Sequence, residues 1–268
     1  MSEQEMKEMS FWDHLEDLRG VIFKSIAFVF VMAMVFFATM GYLFDNVILA
    51  PCHSDFILYR ILCRLNEIVM VLPDYCGDDF HVNLQNIKLA SQFFIHMTTS
   101  FWLAVVVGFP FLIYQIWSFV APALYEHEKR NIRWAFLFGN VMFFLGVAVG
   151  YFTVFPITLR FLAGYQISAE IQNVISLDSY MDNFLTLIFV MGLVFEMPLL
   201  AWILGRMGIL TKRFFSEYRR YAIIATLVLA AFITPSSDPF TLGVVFTPLY
   251  MLWELSSFFV PKPKVVED

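Results

Sequence analysis

The feature that most constrains this chain is a series of long apolar runs separated by connections in which the basic residues gather. Residues 21–44, 93–120, 134–163 and 184–204 are each almost free of charge. About 20 mostly apolar residues suffice to cross ~30 Å of hydrocarbon as a helix. Two weaker runs, 221–233 and 240–260, flank Thr234-Pro235-Ser236-Ser237-Asp238-Pro239. Paired prolines stop a helix, so the last two runs are two short helices joined by a turn. Thirteen residues rise only about 20 Å, so 221–233 either draws on polar flanks or forms half of a re-entrant hairpin. Composition agrees with a lipid-facing chain. Sixty per cent of residues are hydrophobic and 15% charged, against about 25% charged in soluble domains. The net charge of -6 offers no basic face for nucleic acid.

The distribution of Lys and Arg sets the orientation. Of the 17 basic residues, one alternate set of connections holds only Arg60, Arg64, Lys88 and Arg160. All others fall in the opposite set, including both ends of the chain. The simplest solution is an all-α, polytopic protein with six transmembrane helices, both termini cytoplasmic and the last two helices short. The acidic stretch before Val21, with Glu16 and Asp17, lacks the basic lead-in of a cleavable signal.

The long outer connection, 45–92, contains an amphipathic stretch over 57–72, with Arg60 and Arg64 interleaved among apolar residues. All three cysteines lie in this connection, where disulfides are permitted. A Cys52–Cys76 bridge would staple the loop ends; three ordinary thiols is the other reading. Cys52, His53, Cys63 and His81 match no zinc spacing, so no metal and no cofactor are expected.

Four groups of residues carry chemistry. Phe11, Leu15, Leu18 and Ile22 form one helical stripe, which leaves Glu16 and Asp17 toward the cytoplasm. The first cytoplasmic connection places Glu126 and Glu128 directly ahead of Lys129 and Arg130. Glu196 sits within the fourth run, where an ionisable side chain costs at least ~2.5 kcal/mol to insert. Asp238 lies in the outer turn, a place where Asp is common for local reasons.

At these positions the chain resembles the TatC family, the membrane receptor subunits of the twin-arginine translocase. His14-Leu15-Glu16-Asp17-Leu18-Arg19 resembles the family's His-Leu-x-Glu-Leu-Arg motif. The stretch from Tyr114 to Glu128, with Tyr114-Gln115, Trp117, Phe119, Pro122-Ala123-Leu124 and Glu128, is similar to its longest signature. Phe195-Glu196-Met197-Pro198 and Thr234-Pro235 with Asp238 resemble two more. Departures are Gly20-Val21 after Arg19, where a second basic residue is common, and Leu242, where the family often has Gln.

The resemblance implies a receptor in the bacterial cytoplasmic (inner) membrane that takes part in export of folded proteins. It implies binding of twin-arginine signal peptides by Glu16, Asp17, Arg19, Phe119, Glu126 and Glu128, since guanidinium groups favour carboxylates in a bidentate fork. It implies partners, namely single-span subunits of TatA and TatB type, within an oligomeric complex, with Glu196 as the intramembrane polar site and Pro235 and Asp238 in the outer turn. The proton-motive drive is likewise implied by the family. A proton-coupled small-molecule secondary transporter is the alternative, but the chain shows no repeated halves and a single mid-span acid. An enzyme is not expected: His127-Glu128 lacks the second His of a zinc protease.

Overall fold

The computed structural model describes residues 11–69, 80–120, 126–168, 170, 173–206, 208–234 and 238–260. Side chains are described in these ranges except at 11–14, 65, 67–69, 120 and 126–133. The described chain is mostly helical. Its helices are α1 (Phe11–Leu43), α2 (Ile57–Val69), α3 (Ser91–Val107), α4 (Phe109–Val120), α5 (Glu126–Val149), α6 (Phe155–Gly164), α7 (Leu177–Val194), α8 (Met197–Arg206), α9 (Lys212–Glu217), α10 (Arg219–Ile233) and α11 (Pro239–Phe259). Four segments are long and apolar enough to cross a membrane: Leu15–Cys52, Trp134–Gly164, Leu177–Arg206 and Pro239–Phe259. The pair α3 and α4 adds a fifth if it is counted as one span, bent by 58°. The 15-residue α10 rises only about 22 Å. The fourth span's helix starts at Leu177, ahead of the apolar run at Phe184, so the connection after α6 is shorter than hydropathy implies.

The breaks in these helices have a common cause. Pro110, Pro156 and Pro198 are each the second residue of a helix, α4, α6 and α8. Proline lacks the N–H for the ladder and its ring crowds the carbonyl four residues back. The chain before each one therefore stops, loosens or bends. Ahead of Pro110 lies the bend at Gly108. Ahead of Pro156 lies a π-helical turn, Gly150–Val154. Ahead of Pro198 the ladder tightens, with Glu196 N donating to Leu193 O at 3.1 Å.

The chain divides into two compact units, one holding the chain up to Thr39 and Met97–Leu137, the other Met40–His96 and the chain from Phe138. In the first, Phe28 of α1 stacks on Phe111 of α4 with ring centroids 4.1 Å apart. The contact needs Gly108, because a Cβ there would lie 2.7 Å from Phe28 Cε1 and 2.5 Å from Ala104 O.

In the second unit, α5 packs on α7 through small residues. A Cβ at Gly146 would stand 2.5 Å from Met191 O and 2.7 Å from Phe195 Cβ. Gly146 and Gly150 form a Gly-x-x-x-Gly spacing, which lets helix backbones approach closely in lipid. Around Gly150 the contact continues, 3.1 Å from its ideal Cβ position to Ile188 Cα. Phe155 meets Tyr180 and Phe184 edge-on at 5.3 and 5.0 Å.

One end of this unit is closed by a cap built from the connection after α1. A π-helical turn, Phe44–Ile48, ends the first span, and its freed carbonyls find tyrosine hydroxyls. Tyr151 donates to Val47 O at 2.8 Å and Tyr180 to Ile48 O at 2.5 Å. The Tyr59 hydroxyl, on α2, reaches Pro51 O at 3.0 Å and Pro156 O at 3.1 Å. α2 buries Tyr59 and exposes Arg60 and Arg64, the amphipathic arrangement its sequence suggests. Arg160 lies over the rings of Tyr59 and Phe80 at 5.0 and 4.8 Å, cation–π contacts that hold the cap to α6. Strand β1 (Leu84–Gln85) pairs in parallel with β2 (Ile175–Ser176). Ser176 then caps α7 by accepting from Ser179 N. Asp178 receives the Ser91 hydroxyl and faces Lys88 Nζ at 3.9 Å.

The cap overturns the Cys52–Cys76 bridge. Cys52 is a free thiol, buried at 2% exposure beneath the 3-10 turn Ala50–Cys52. Cys63, on α2, is the cysteine held in a disulfide. Cys76 itself lies outside the described residues. The loop end at Cys52 is secured instead by backbone bonding, since Val82 N donates to Cys52 O at 3.1 Å.

Candidate signal-peptide and partner sites

Glu16, Asp17 and Arg19 share about one turn of α1, and all three side chains are exposed. The same stretch carries a shallow recess of about 310 Å³, lined by Leu15, Leu18, Arg19, Ile22, Phe23 and Ile26. The 3.6-residue period explains the arrangement: Leu15, Leu18, Ile22 and Ile26 fall on one stripe, and Glu16 and Asp17 fall off it, toward the opposite polar face, at its N-terminal end. A carboxylate pair is thus placed at the head of an apolar strip. Chemically this suits a ligand with cationic groups followed by an apolar segment. The turn contributes two acceptors for guanidinium forks, and the strip a surface for apolar side chains.

Phe119 is the penultimate residue of α4 and is half-buried. Glu126 opens α5 and Glu128 is its third residue. Carboxylates in a first turn complement the helix dipole, which gives both residues a local reason to be there. Their side chains lie outside the described residues. All six predicted receptor residues belong to the first unit.

Glu196 belongs to the second unit and occupies the break between α7 and α8. Leu200 N donates to Glu196 O at 3.0 Å, restarting the ladder. The carboxyl is aimed at α5, where a Cβ on Gly139 would come within 3.1 Å of Oε2 and 3.6 Å of Oε1. Oε1 is buried and has no hydrogen-bond partner among the described residues. A buried acceptor left unpaired costs about 1–3 kcal/mol, more when charged. The position is therefore a polar atom in want of a donor, in the wall of a membrane span. Gly139 is the half of this site that sequence reasoning missed; an isolated glycine in an apolar run is its only signal.

Asp238 is the N-cap of α11, its Oδ1 accepting from Thr241 N at 2.8 Å. That bond supplies a local role for it. Pro235 lies outside the described residues. A further polar cluster, unforeseen from sequence, joins α10 to α11. Arg219 binds Glu254 through two nitrogens, and Tyr250 donates to the same carboxylate at 2.8 Å.

The family model described as "Sec-independent protein translocase protein (TatC)" matches residues 13–248. Among curated relatives, the chain is 30% identical over 264 residues to the TatC protein of Blattabacterium sp. subsp. Periplaneta americana (strain BPLAN), covering 97% of this chain and 99% of that one. It is 33% identical to that of Koribacter versatilis (strain Ellin345), over 96% and 86% of the two chains. With that of Campylobacter jejuni it shares 32%, over 93% and 92%. Among solved structures, a crystal structure of the twin-arginine translocase receptor TatC aligns with TM-score 0.68 and 28% identity, covering 92% of this chain and 97% of that chain. A second TatC structure, determined in DDM, gives 0.70 at 28% identity, with 92% and 99% covered. Proteins so named are translocase components rather than enzymes. With the match running through the α1 motif and the α7–α8 break and into the first half of α11, this multi-pass membrane chain belongs to the TatC family of Sec-independent protein translocase proteins.

Proposed function

We propose that this chain is the receptor of a twin-arginine translocase in a bacterial cytoplasmic membrane, crossing it six times with both termini in the cytoplasm. The observation that carries the reading is the exposed Glu16–Asp17 pair at the head of the apolar strip on α1. A twin-arginine signal peptide has the matching order, two guanidinium groups and then an apolar segment. Glu126 and Glu128, at the start of α5, supply the second acidic patch, and Phe119 an aromatic contact beside it. Arginine rather than lysine is selected because a point charge cannot satisfy the bidentate fork. In six crossings α10 is the short one, and its first residue, Arg219, pairs with Glu254 near the end of α11. That pairing supports a start of α10 and an end of α11 on one side, as six crossings require.

Glu196 is the docking point for a single-span partner subunit of TatA or TatB type. Its Oε1, without a partner among the described residues, would accept from a polar side chain of that helix. The complete complex is oligomeric and exports folded proteins.

The test is site-specific crosslinking to a precursor from positions beside Asp17 and Glu128, with export measured in parallel. Asp17→Ala combined with Glu128→Ala is expected to abolish crosslinks and export of an Arg-Arg precursor, with ordinary unfolded export unchanged. Normal twin-arginine export by the double variant would overturn the receptor reading.

A further inference from the structure

His53 and His81 face each other across an isolated antiparallel bridge in the cap. Both side chains are exposed, with ring centroids 5.0 Å apart and planes inclined at 52°. The backbone beneath them is fixed by Val82 N donating to Cys52 O at 3.1 Å and His53 N to Ala50 O at 3.3 Å. His53 Nδ1 lies 3.1 Å from Leu49 O. A carbonyl oxygen only accepts, so Nδ1 carries the hydrogen of the neutral ring and Nε2 keeps its lone pair. A carbonyl behind the far ring nitrogen is the usual support of a metal-ligating histidine, since it fixes both tautomer and ring orientation. The His81 ring has no hydrogen-bond partner among the described residues.

We propose that His53 and His81 form a solvent-open, two-imidazole site for a borderline divalent cation of the zinc type. Imidazole nitrogens suit Zn²⁺, Cu²⁺ and Ni²⁺, and a zinc ion sits about 2.0–2.1 Å from each nitrogen it binds. Rings already facing one another across a bridge lose little freedom in converging on one ion. The sulfur atoms nearby take no part, because the Cys52 thiol is buried and Cys63 is in a disulfide. Two protein ligands leave the other coordination positions to water. The site therefore takes and releases its ion readily, unlike a structural zinc with four protein ligands. It does not depend on the receptor reading and lies in the other unit from the receptor residues.

The probe is Zn²⁺, titrated calorimetrically into the full chain purified in detergent without a polyhistidine tag. Wild type is expected to bind one equivalent. His53→Gln or His81→Gln should each weaken that binding at least tenfold, and the double variant should be no weaker than either single, because one ring alone gives no chelate. Thermal unfolding without metal checks that the exposed substitutions leave the fold intact. As a second readout, Zn²⁺ should protect both histidines of the unsubstituted chain from diethyl pyrocarbonate. Absence of stoichiometric binding by wild type, or undiminished affinity in either single variant, would overturn the proposal.

Discussion

Arg219 grips Glu254 side-on, Nε to Oε1 at 2.7 Å and Nη2 to Oε2 at 2.8 Å, and so ties the first residue of α10 to α11. Two parallel N–H donors meet two carboxylate oxygens, a geometry available to arginine alone. Tyr250, one turn back on α11, donates to Oε1 and holds the carboxylate in place.

Because the pair is partly exposed, at 58% and 31%, solvent screens much of its energy. Arg219→Lys is expected to cost roughly 0.5–1 kcal/mol, seen as a small fall in unfolding temperature in detergent. Glu254→Gln should cost a similar amount. The double variant should lose less than the sum of the two singles. Full additivity would mean that the two residues do not act together.

Gly146 yields a sharper steric prediction. Its ideal Cβ position is 2.5 Å from a backbone carbonyl, Met191 O, which has no side-chain torsion through which to move away. Gly146→Ala should therefore push α5 from α7 and cost about 1–3 kcal/mol, the range for overpacking. Gly20→Ala, in α1 with nothing within 4 Å of its Cβ, is the control and should be neutral or stabilise by up to about 1 kcal/mol. Unfolding of both variants in the same detergent separates packing from helix propensity. Equal stabilities would show that α5 and α7 are not in tight contact.

These two features also mark where sequence reading stops. The apolar runs and their prolines were visible in the chain because helix formation in lipid is dictated locally, by apolar length and by backbone donors. The acidic turn of α1 was visible for the same reason, since the 3.6-residue period alone turns Glu16 and Asp17 away from the Leu15–Leu18 stripe. Arg219 and Glu254 are 35 residues apart, and no local pattern pairs them. The same holds for the tyrosines on Val47 and Ile48, where a side chain far along the chain satisfies a carbonyl that only the end of a helix exposes. The cysteines failed for a related reason. Spacing left a Cys52–Cys76 staple and three ordinary thiols both open, but the 3-10 turn draws the Cys52 thiol into the interior, while α2 carries Cys63 to its disulfide. Glu196 was conspicuous by its charge; Gly139 was not, because a missing side chain leaves no mark on hydropathy.

That last pair bears on how a partner would be held. The Glu196 carboxyl reaches toward Gly139 and leaves Oε1 without a donor among the described residues. If this oxygen serves a partner helix, the residue needs an acceptor at that point more than it needs a charge. Glu196→Gln keeps the side-chain shape and one carbonyl acceptor, so it should retain a measurable share of transport. Glu196→Ala removes the acceptor and should abolish transport and crosslinking to the single-span partner, while precursor crosslinks near Asp17 persist. Gly139→Leu should mimic the alanine variant by filling the space in front of the carboxyl. A carboxyl serving only internal packing predicts something else: Glu196→Ala would relieve an unpaired buried oxygen, raise stability, and leave partner crosslinks intact. Measuring unfolding temperature and partner crosslinking on the same three variants separates the two roles, since only the docking role couples loss of the acceptor to loss of the partner.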